Sequence, residues 1–325
     1  MITTLQQLID TEKSITTDEL NMQANKLAAH ELQSRLCKLG ILDPVIGGDK
    51  DKPFGPTAES DGAIGPMTLN AIFEFHRLAN LEYTDRLLTL DFTKALVKAD
   101  PDKFLPVQFD NKSTDDTRTR FAKRILRCMR ARGYWIARSP NACNIVYVEG
   151  VNSDGRENPD KFDEWNDRRT VIRISPGGKP EMMVNDQATT EPGKFYTVNP
   201  LHSLGAARIA FGQYKAWTDG LHQGVQPALV QRGDLRVHRD IDKSGTRNKV
   251  DPMDVGDWFG INQHSTSSKS TPKLVGKYSA GCLVGRRYSW HLKFLSAVRK
   301  DFRYKMNKSY LFITTVLAGD DPLLK

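Results

Sequence analysis

The sequence predicts an α+β chain of more than one domain, a small three-helix bundle followed by a mostly-β domain. Three observations carry that expectation. The chain has 325 residues, more than the roughly 100–200 of a single core. Apolar residues recur at helical spacing up to Arg132, and after residue 144 they give way to short, alternating, β-branched runs. Charge divides along the chain as well: residues 1–108 carry 11 Lys/Arg against 16 Asp/Glu, a net of −5, and residues 109–325 carry 36 against 23, a net of +13. Hydrophobic residues make up 39%, ordinary for a soluble globular chain and too many for a disordered one. The overall charge of +8 suggests a polyanionic partner but does not choose between nucleic acid, a membrane surface and a cell-wall polymer.

Residues 21–40 form the first expected helix, with Leu27, Leu32, Leu36 and Leu39 on one face and Gly40 as its stop. After the loop GGDKDKPFGP, the stretch DGAIGPMTLNAIFEFHRLANL opens on turn signals at Asp61-Gly62 and Gly65-Pro66. Thr68 is its expected cap, and Leu69, Ile72, Phe73 and Leu78 are its expected buried stripe. A third, shorter helix follows in TDRLLTLDFTKALVKADP and stops before Pro101. The span 109–140 reads as a basic linking helix between residues 1–108 and 141–325. Ser113 is its expected N-cap, Phe121, Ile125, Leu126 and Met129 its apolar stripe, and Gly133 its end. Its other face carries Arg118, Arg120, Lys123, Arg124, Arg127, Arg130 and Arg132, expected to be solvated. No motif supports a nucleic-acid contact.

Beyond residue 144, NIVYVEGV, RTVIRIS, EMMVND, KFYTVNP, ALVQRG, DLRVHRDI and YLFITTVLAG are expected strands, and SWHLKFLSAVRKDF an expected helix. Four cysteines (Cys37, Cys128, Cys143, Cys282) are too few for a disulfide scaffold, and none forms a C-x-x-C pair. The N-terminus has no basic start and no apolar run, so no signal peptide is expected, and no window approaches the roughly 18 apolar residues of a membrane span. The chain is therefore expected to be made in the cytoplasm and to need another route if it works outside it.

The chemistry concentrates in GINQHSTSSKSTPKLVGKYSAGCLVG. A nucleophilic thiol needs an imidazole to take its proton, N–H groups aimed at the developing oxyanion, and small neighbours that let a substrate approach the backbone. His264 and the turn Ser279-Ala280-Gly281-Cys282, 14 residues later, offer all three. Cys37 and Cys128 fall on helix faces as packing residues, and Cys143 has no neighbouring histidine in sequence. Further on, Asp240, Asp242, Ser244, Gly245 and Asp251 sit at positions 1, 3, 5, 6 and 12 of a calcium-loop pattern. Arg247 replaces the apolar residue at position 8 and no helices flank the loop, so a solvated hairpin is expected. His222, His238 and Asp240 lack zinc-ligand spacing. No metal and no cofactor is expected.

Two resemblances follow from these residues. LQSRLCKLGILDP, DGAIGPMTLNAIFEFH and LTLDFTKAL, in that order over roughly residues 22–100, resemble the peptidoglycan-binding-type-1 module. His76 stands where that family usually has Gln, and the loop after Leu42 is long. The block from His264 to Cys282 resembles the L,D-transpeptidase family, whose signature is a histidine, about fourteen to seventeen residues, then Ser/Thr-His-Gly-Cys. ATTEPGKFYTV (188–198) is similar to that family's T-P-x-G-x-F stretch, which places Phe195 on a strand edge lining the cleft. Ala280 departs from the signature, replacing its second histidine.

The resemblance implies that Cys282 is the acylated nucleophile, His264 its base, and the N–H groups of Gly281 and Cys282 the oxyanion hole. Ser265 would orient His264 through its backbone or hydroxyl. Ser279, Phe195, Arg286 and Arg287 would meet substrate, the arginines through a peptide carboxylate. The implied partner is peptidoglycan, attacked at its stem peptides through an acyl-enzyme. With no signal peptide expected, the protein would reach the wall by holin-type release, phage delivery or injection, as a lysin or remodelling enzyme associated with phage or injection-system components. The alternative is a non-catalytic wall-binding component of a virion or injection device, with Ala280 marking a decayed site.

Overall fold

Strands from the C-terminal two-thirds close into a barrel, and the elements that form it explain where the thiol sits. The structure, a computed structural model, describes residues 1–325. It is an α+β molecule with ten α-helices and an eight-stranded barrel. No helix is long and apolar enough to cross a membrane.

The strands that matter are β1 (Asn144–Glu149), β2 (Asp167–Ile174), β3 (Pro180–Thr189), β4 (Ala206–Ile209), β5 (Gly212–His222), β6 (Gln226–Gln231), β7 (Leu235–Asp240), β8 (Met253–Gly256), β9 (Gln263–Ser265), β10 (Leu283–Gly285) and β11 (Phe312–Ala318). Around the barrel the order is β6-β9-β10-β3-β2-β1-β11-β5, and β8-β7-β4 form a separate three-stranded sheet. Only β9–β10 and β11–β1 are parallel within the barrel. Tyr147, Tyr214, Trp217, Leu229 and Phe312 fill the principal core, joined by Phe294 and Leu295 from the helix Tyr288–Val298. Burying each of these side chains contributes about 1.5–3 kcal/mol.

At the N-terminal end, α1 (Lys26–Lys38), α2 (Pro66–Leu78) and α3 (Leu90–Lys98) pack around Leu32, Leu36, Phe75, Phe92 and Leu96, with the short helix Leu5–Asp10 alongside. Three expectations fail here. Leu27 is exposed on the outer face of the first turn of α1, and Ala28 and Ala29 of the same turn take the buried side. Thr68 is not the cap of α2: Gly65 occupies that position with Pro66 as the first helical residue, and the buried Thr68 hydroxyl accepts from Gln33 Nε2 at 3.1 Å. Phe73 lies outside the buried stripe, edge-on to Tyr83, and Phe75 takes its place in the core.

The long loop after Leu42 forms a small hairpin, 45–47 against 55–58, and carries Phe54 into the barrel core beside Tyr214. Gln213 N–H donates to Phe54 O at 2.9 Å, and Asp43 pairs with Arg303 at 2.7 Å, so the two ends of the chain share a buried polar contact.

The helix α4 (Thr117–Ala131) lies on the barrel. Phe121, Ile125, Leu126 and Met129 pack on Val146, Val148, Ile172 and Ile174. Its cap is Asp116, whose carboxylate accepts from Thr119 N–H at 2.7 Å, three residues after the expected Ser113. Lys123, expected in water, is fully buried and donates to Asp115 at 2.7 Å and to the Asp110 carbonyl at 2.8 Å. A buried ammonium persists only with such compensation.

KFYTVNP is not a strand. The turn at Pro192-Gly193 takes the chain out of the sheet, and Lys194–Val198 form a short helix, α5. Gly193 is held by its N–H to Ser279 O at 2.9 Å, and a Cβ at Gly193 would collide with the Gly276 backbone. Neither β4 nor β5 was expected from sequence; in β5 the apolar alternation is broken by Lys215, Asp219 and Gly220.

Candidate active site around Cys282

The parallel pairing of β9 with β10 brings the histidine and the cysteine together. Gln263 is opposite Leu283 and His264 opposite Val284, so the residue just before β10 arrives beside the one just before β9. Cys282 therefore faces the segment Gly260–Asn262. Its thiol donates to Gly260 O at 3.5 Å, and the Asn262 N–H points at the sulfur. A ring nitrogen of His264, a ring nitrogen of His222 and Cys282 Sγ lie within 4.8 Å of one another.

Glycine is required in the turn at Gly281. Its φ is +132°, and a Cβ there would collide with the Ala207 carbonyl of β4. Ser279 shapes the same turn: its buried hydroxyl donates to Cys282 O at 2.9 Å and accepts from Gly281 N–H at 3.1 Å. That second bond uses the Gly281 N–H internally, so of the two expected oxyanion donors only the Cys282 N–H has no hydrogen-bond acceptor within the protein.

The tautomers of both imidazoles follow from their partners. His264 Nδ1 lies 2.9 Å from Ser265 O. A carbonyl can only accept, so Nδ1 carries the proton and Nε2 carries the free lone pair. Ser265 thus orients His264 through its backbone, while its hydroxyl donates to Thr266 O and accepts from Gln226. Behind them, the buried Arg169 donates to His264 O at 3.4 Å, to His291 Nδ1 at 3.0 Å and to Asp186 at 2.7 Å. His222 is fixed differently. Gln231 N–H donates to Asn262 Oδ1 at 2.9 Å, so the Asn262 amide NH₂ must face His222 Nδ1, 3.0 Å away. His222 Nδ1 accepts, and its proton sits on Nε2. The two rings stack with centroids 3.9 Å apart and planes 7° from parallel.

Burial sets the charge state. It lowers the His264 pKa to about 3, aided by His222 and Arg169, and it lowers that of His222 as well. Burial pushes the Cys282 thiol up to about 11, against a smaller opposing effect of the Asn262 N–H. The resting pair at neutral pH is thiol and imidazole, not thiolate and imidazolium. Any reaction of this thiol would have to lose its proton in the same step, and the free lone pair of His264 Nε2 is a nearby acceptor.

The remaining expected residues are spread around this centre. Phe195 lies on α5 with Lys277 over its ring at 4.3 Å, next to the loop that leads to the thiol and not on a strand edge. The Arg286 guanidinium is committed to Pro272 O and Gln187 Oε1 at 3.0 and 2.9 Å. Arg287 caps the helix Tyr288–Val298 and lines a pocket of about 170 Å³ with Arg168, Asp186 and Trp290. His222, His238 and Asp240 do not converge: His222 turns to His264, and His238, on β7, sits opposite Arg208 of β4 and Met253 of β8.

No family model matches the chain, and no curated protein is similar to it in sequence.

His222 is the residue that sequence reasoning missed as a partner of the thiol. It ends β5 just before a tight turn in which Gln223 and Gly224 both have positive φ. The only signal was the Gln-Gly pair closing a hairpin, which places the histidine at a strand end without showing what it faces.

Proposed function

We propose that this chain is a peptidoglycan-directed cysteine enzyme acting on stem peptides through an acyl-enzyme. One observation carries the reading: a cysteine on a glycine-constrained turn shares a 4.8 Å cluster with two neutral imidazoles, one of which presents a lone pair. As His264 Nε2 takes the thiol proton, Cys282 Sγ attacks the acyl carbon of a peptide bond. The oxyanion accepts from the Cys282 N–H. When the tetrahedral adduct collapses, the departing amine takes the proton from His264, leaving a thioester. Water then releases an acid, giving cleavage, or an incoming amine forms a new amide, giving a cross-link. Both outcomes share the first half-reaction.

Ala280 provides no second imidazole, but His222 stands beside the pair with its Nε2–H fixed as a donor. The similarity of His264 to Cys282 and of TTEPGKF to the L,D-transpeptidase signature favours a stem peptide as substrate, and the helical N-terminal part, similar to a peptidoglycan-binding module, favours the wall as its location. The protein is proposed to act as a delivered lysin or remodelling enzyme of a phage or injection system. Incubating the protein and Cys282→Ala with intact peptidoglycan, followed by mass analysis of the muropeptides, tests this directly.

A further inference from the structure

The chain contains two convergent groups of carboxylates, and they differ in what balances them. Glu149, Asp160 and Glu191 each place an oxygen within 4.8 Å of the others. That group is already compensated: Arg247 pairs with Glu149, and Arg208 pairs with Glu191 at 2.6 Å. Asp240, Asp242 and Asp251 converge within the same limit, and no lysine or arginine forms an ion pair with any of them. Lys243 and Lys249 of the same loop project into solvent, and Arg247 turns away to Glu149.

The least expected group is Asp251. It is only 7% exposed, its carboxylate belongs to the cluster, and its Oδ1 has neither solvent nor a hydrogen-bond partner. A buried carboxylate oxygen left without a partner is costly unless something outside the protein meets it. The rest of the cluster is held by the loop itself: Ser244 and Gly245 N–H donate to Asp240 at 2.9 Å, Ser244 N–H and the Asn248 side-chain amide donate to Asp242 at 3.1 and 2.9 Å, and Asn248 N–H donates to the other oxygen of Asp251, Oδ2, at 3.0 Å.

The geometry points to a calcium-binding site formed by Asp240, Asp242 and Asp251 in the connection between β7 and β8. Hard carboxylate oxygens suit a hard cation, and a separation within 4.8 Å fits across a calcium shell of about 2.3–2.6 Å radius. Gly245, at position 6 of the loop, has φ +71°, the sharp turn that such a loop requires. The connection joins two antiparallel strands, as a hairpin loop does, and not two helices. Arg247, at the position where an apolar residue was expected, reaches Glu149 and Ile209 O. Ion binding therefore also fixes Arg247, the arm that pairs with Glu149 at the end of β1. The ion plays no part in the thiol chemistry, so the inference stands or falls independently of the proposed function.

Isothermal titration of chelator-treated full-length protein with calcium chloride, read beside thermal unfolding, decides the matter. The expected result is one calcium per chain with a dissociation constant of about 10⁻⁴–10⁻³ M, as in extracellular modules, and a rise in Tm of about 3 °C or more at about 10 mM calcium. The exposed Asp242→Asn and the buried Asp251→Asn should each weaken binding by about tenfold or more while the proteins still unfold cooperatively. No calcium binding by the unaltered chain overturns the inference. So does binding retained at full strength in both variants, or a Tm rise reproduced equally by magnesium chloride.

Discussion

Cys143 and Cys282 are both buried, both unpaired and both held as thiols, yet their surroundings differ in the one respect that matters for reactivity. Burial, reinforced by the nearby Asp301 carboxylate, pushes the Cys143 thiol well above its ordinary value. That carboxylate is already bound by Arg303 at 2.6 Å and by Cys143 N–H at 2.9 Å, so it has no role as a proton acceptor. Around Cys282 the neighbours are two neutral imidazoles and a backbone N–H. Burial raises both thiols, but only Cys282 has a base within reach. A low resting thiolate population is therefore compatible with a nucleophile, provided that proton transfer is coupled to attack.

Replacing His264 should break the comparison most severely. His264→Ala is expected to lower the rate of wall processing by about 10²–10⁴-fold, the usual contribution of a positioned general base, with the fold retained by circular dichroism. Equal rates in His264→Ala and the unaltered protein would put Cys282 in the same category as Cys143.

The support behind His264 should be felt in stability. Arg169→Met strips the partner from the buried Asp186, and loss of one member of a buried pair costs about 3–5 kcal/mol. Denaturant unfolding would show the shift in midpoint. Little change would mean that Arg169 is not what holds the His264 strand.

The pH dependence of alkylation sharpens the comparison further. With the Cys282 thiol at about 11 and His264 at about 3, iodoacetamide labelling of Cys282 should rise about tenfold per pH unit from pH 7 to 10. A thiolate–imidazolium pair would instead give a plateau near neutrality. Cys143 should stay unlabelled throughout.

A smaller pH effect belongs to stability. Burial, with Glu149 and Asp160 nearby, raises Asp167 to about 8. An unfolded aspartate titrates near 4, so between these values the folded protein binds the extra proton and stability falls as pH rises. Tm should decline from pH 5 towards pH 8, and the slope should flatten in Asp167→Asn. The smallest effect is expected of Cys143→Ala: about 1 kcal/mol of packing and no change in activity.

The parts that sequence made legible are those where local pattern and tertiary environment agree. The stripe of α4, the β-branched apolar runs of β1, β2 and β11, and the nearness of His264 to Cys282 were all visible: helical periodicity reports a buried face, short apolar runs report strands buried on both faces, and a Gly-Cys turn reports a constrained backbone. Lys123 was misplaced because a charged residue on a polar face gives no sign of a carboxylate eight residues earlier. The segment 194–198 was misplaced because β-branched residues suggested a strand where the Pro192-Gly193 turn decides otherwise. His222 could not be paired with His264, since 41 residues of barrel separate them and only the closed sheet brings the rings together. The Gly281 N–H was expected at the oxyanion, and nothing in the sequence shows that Ser279 takes it.

The central claim is that Cys282 forms an acyl-enzyme on wall stem peptides, and muropeptide analysis tests it most directly. Intact peptidoglycan treated with the purified protein should show released peptides, lost terminal residues or new cross-links, and the Cys282→Ala control should show none. Muropeptide profiles identical for the two proteins across wall chemotypes would contradict the account.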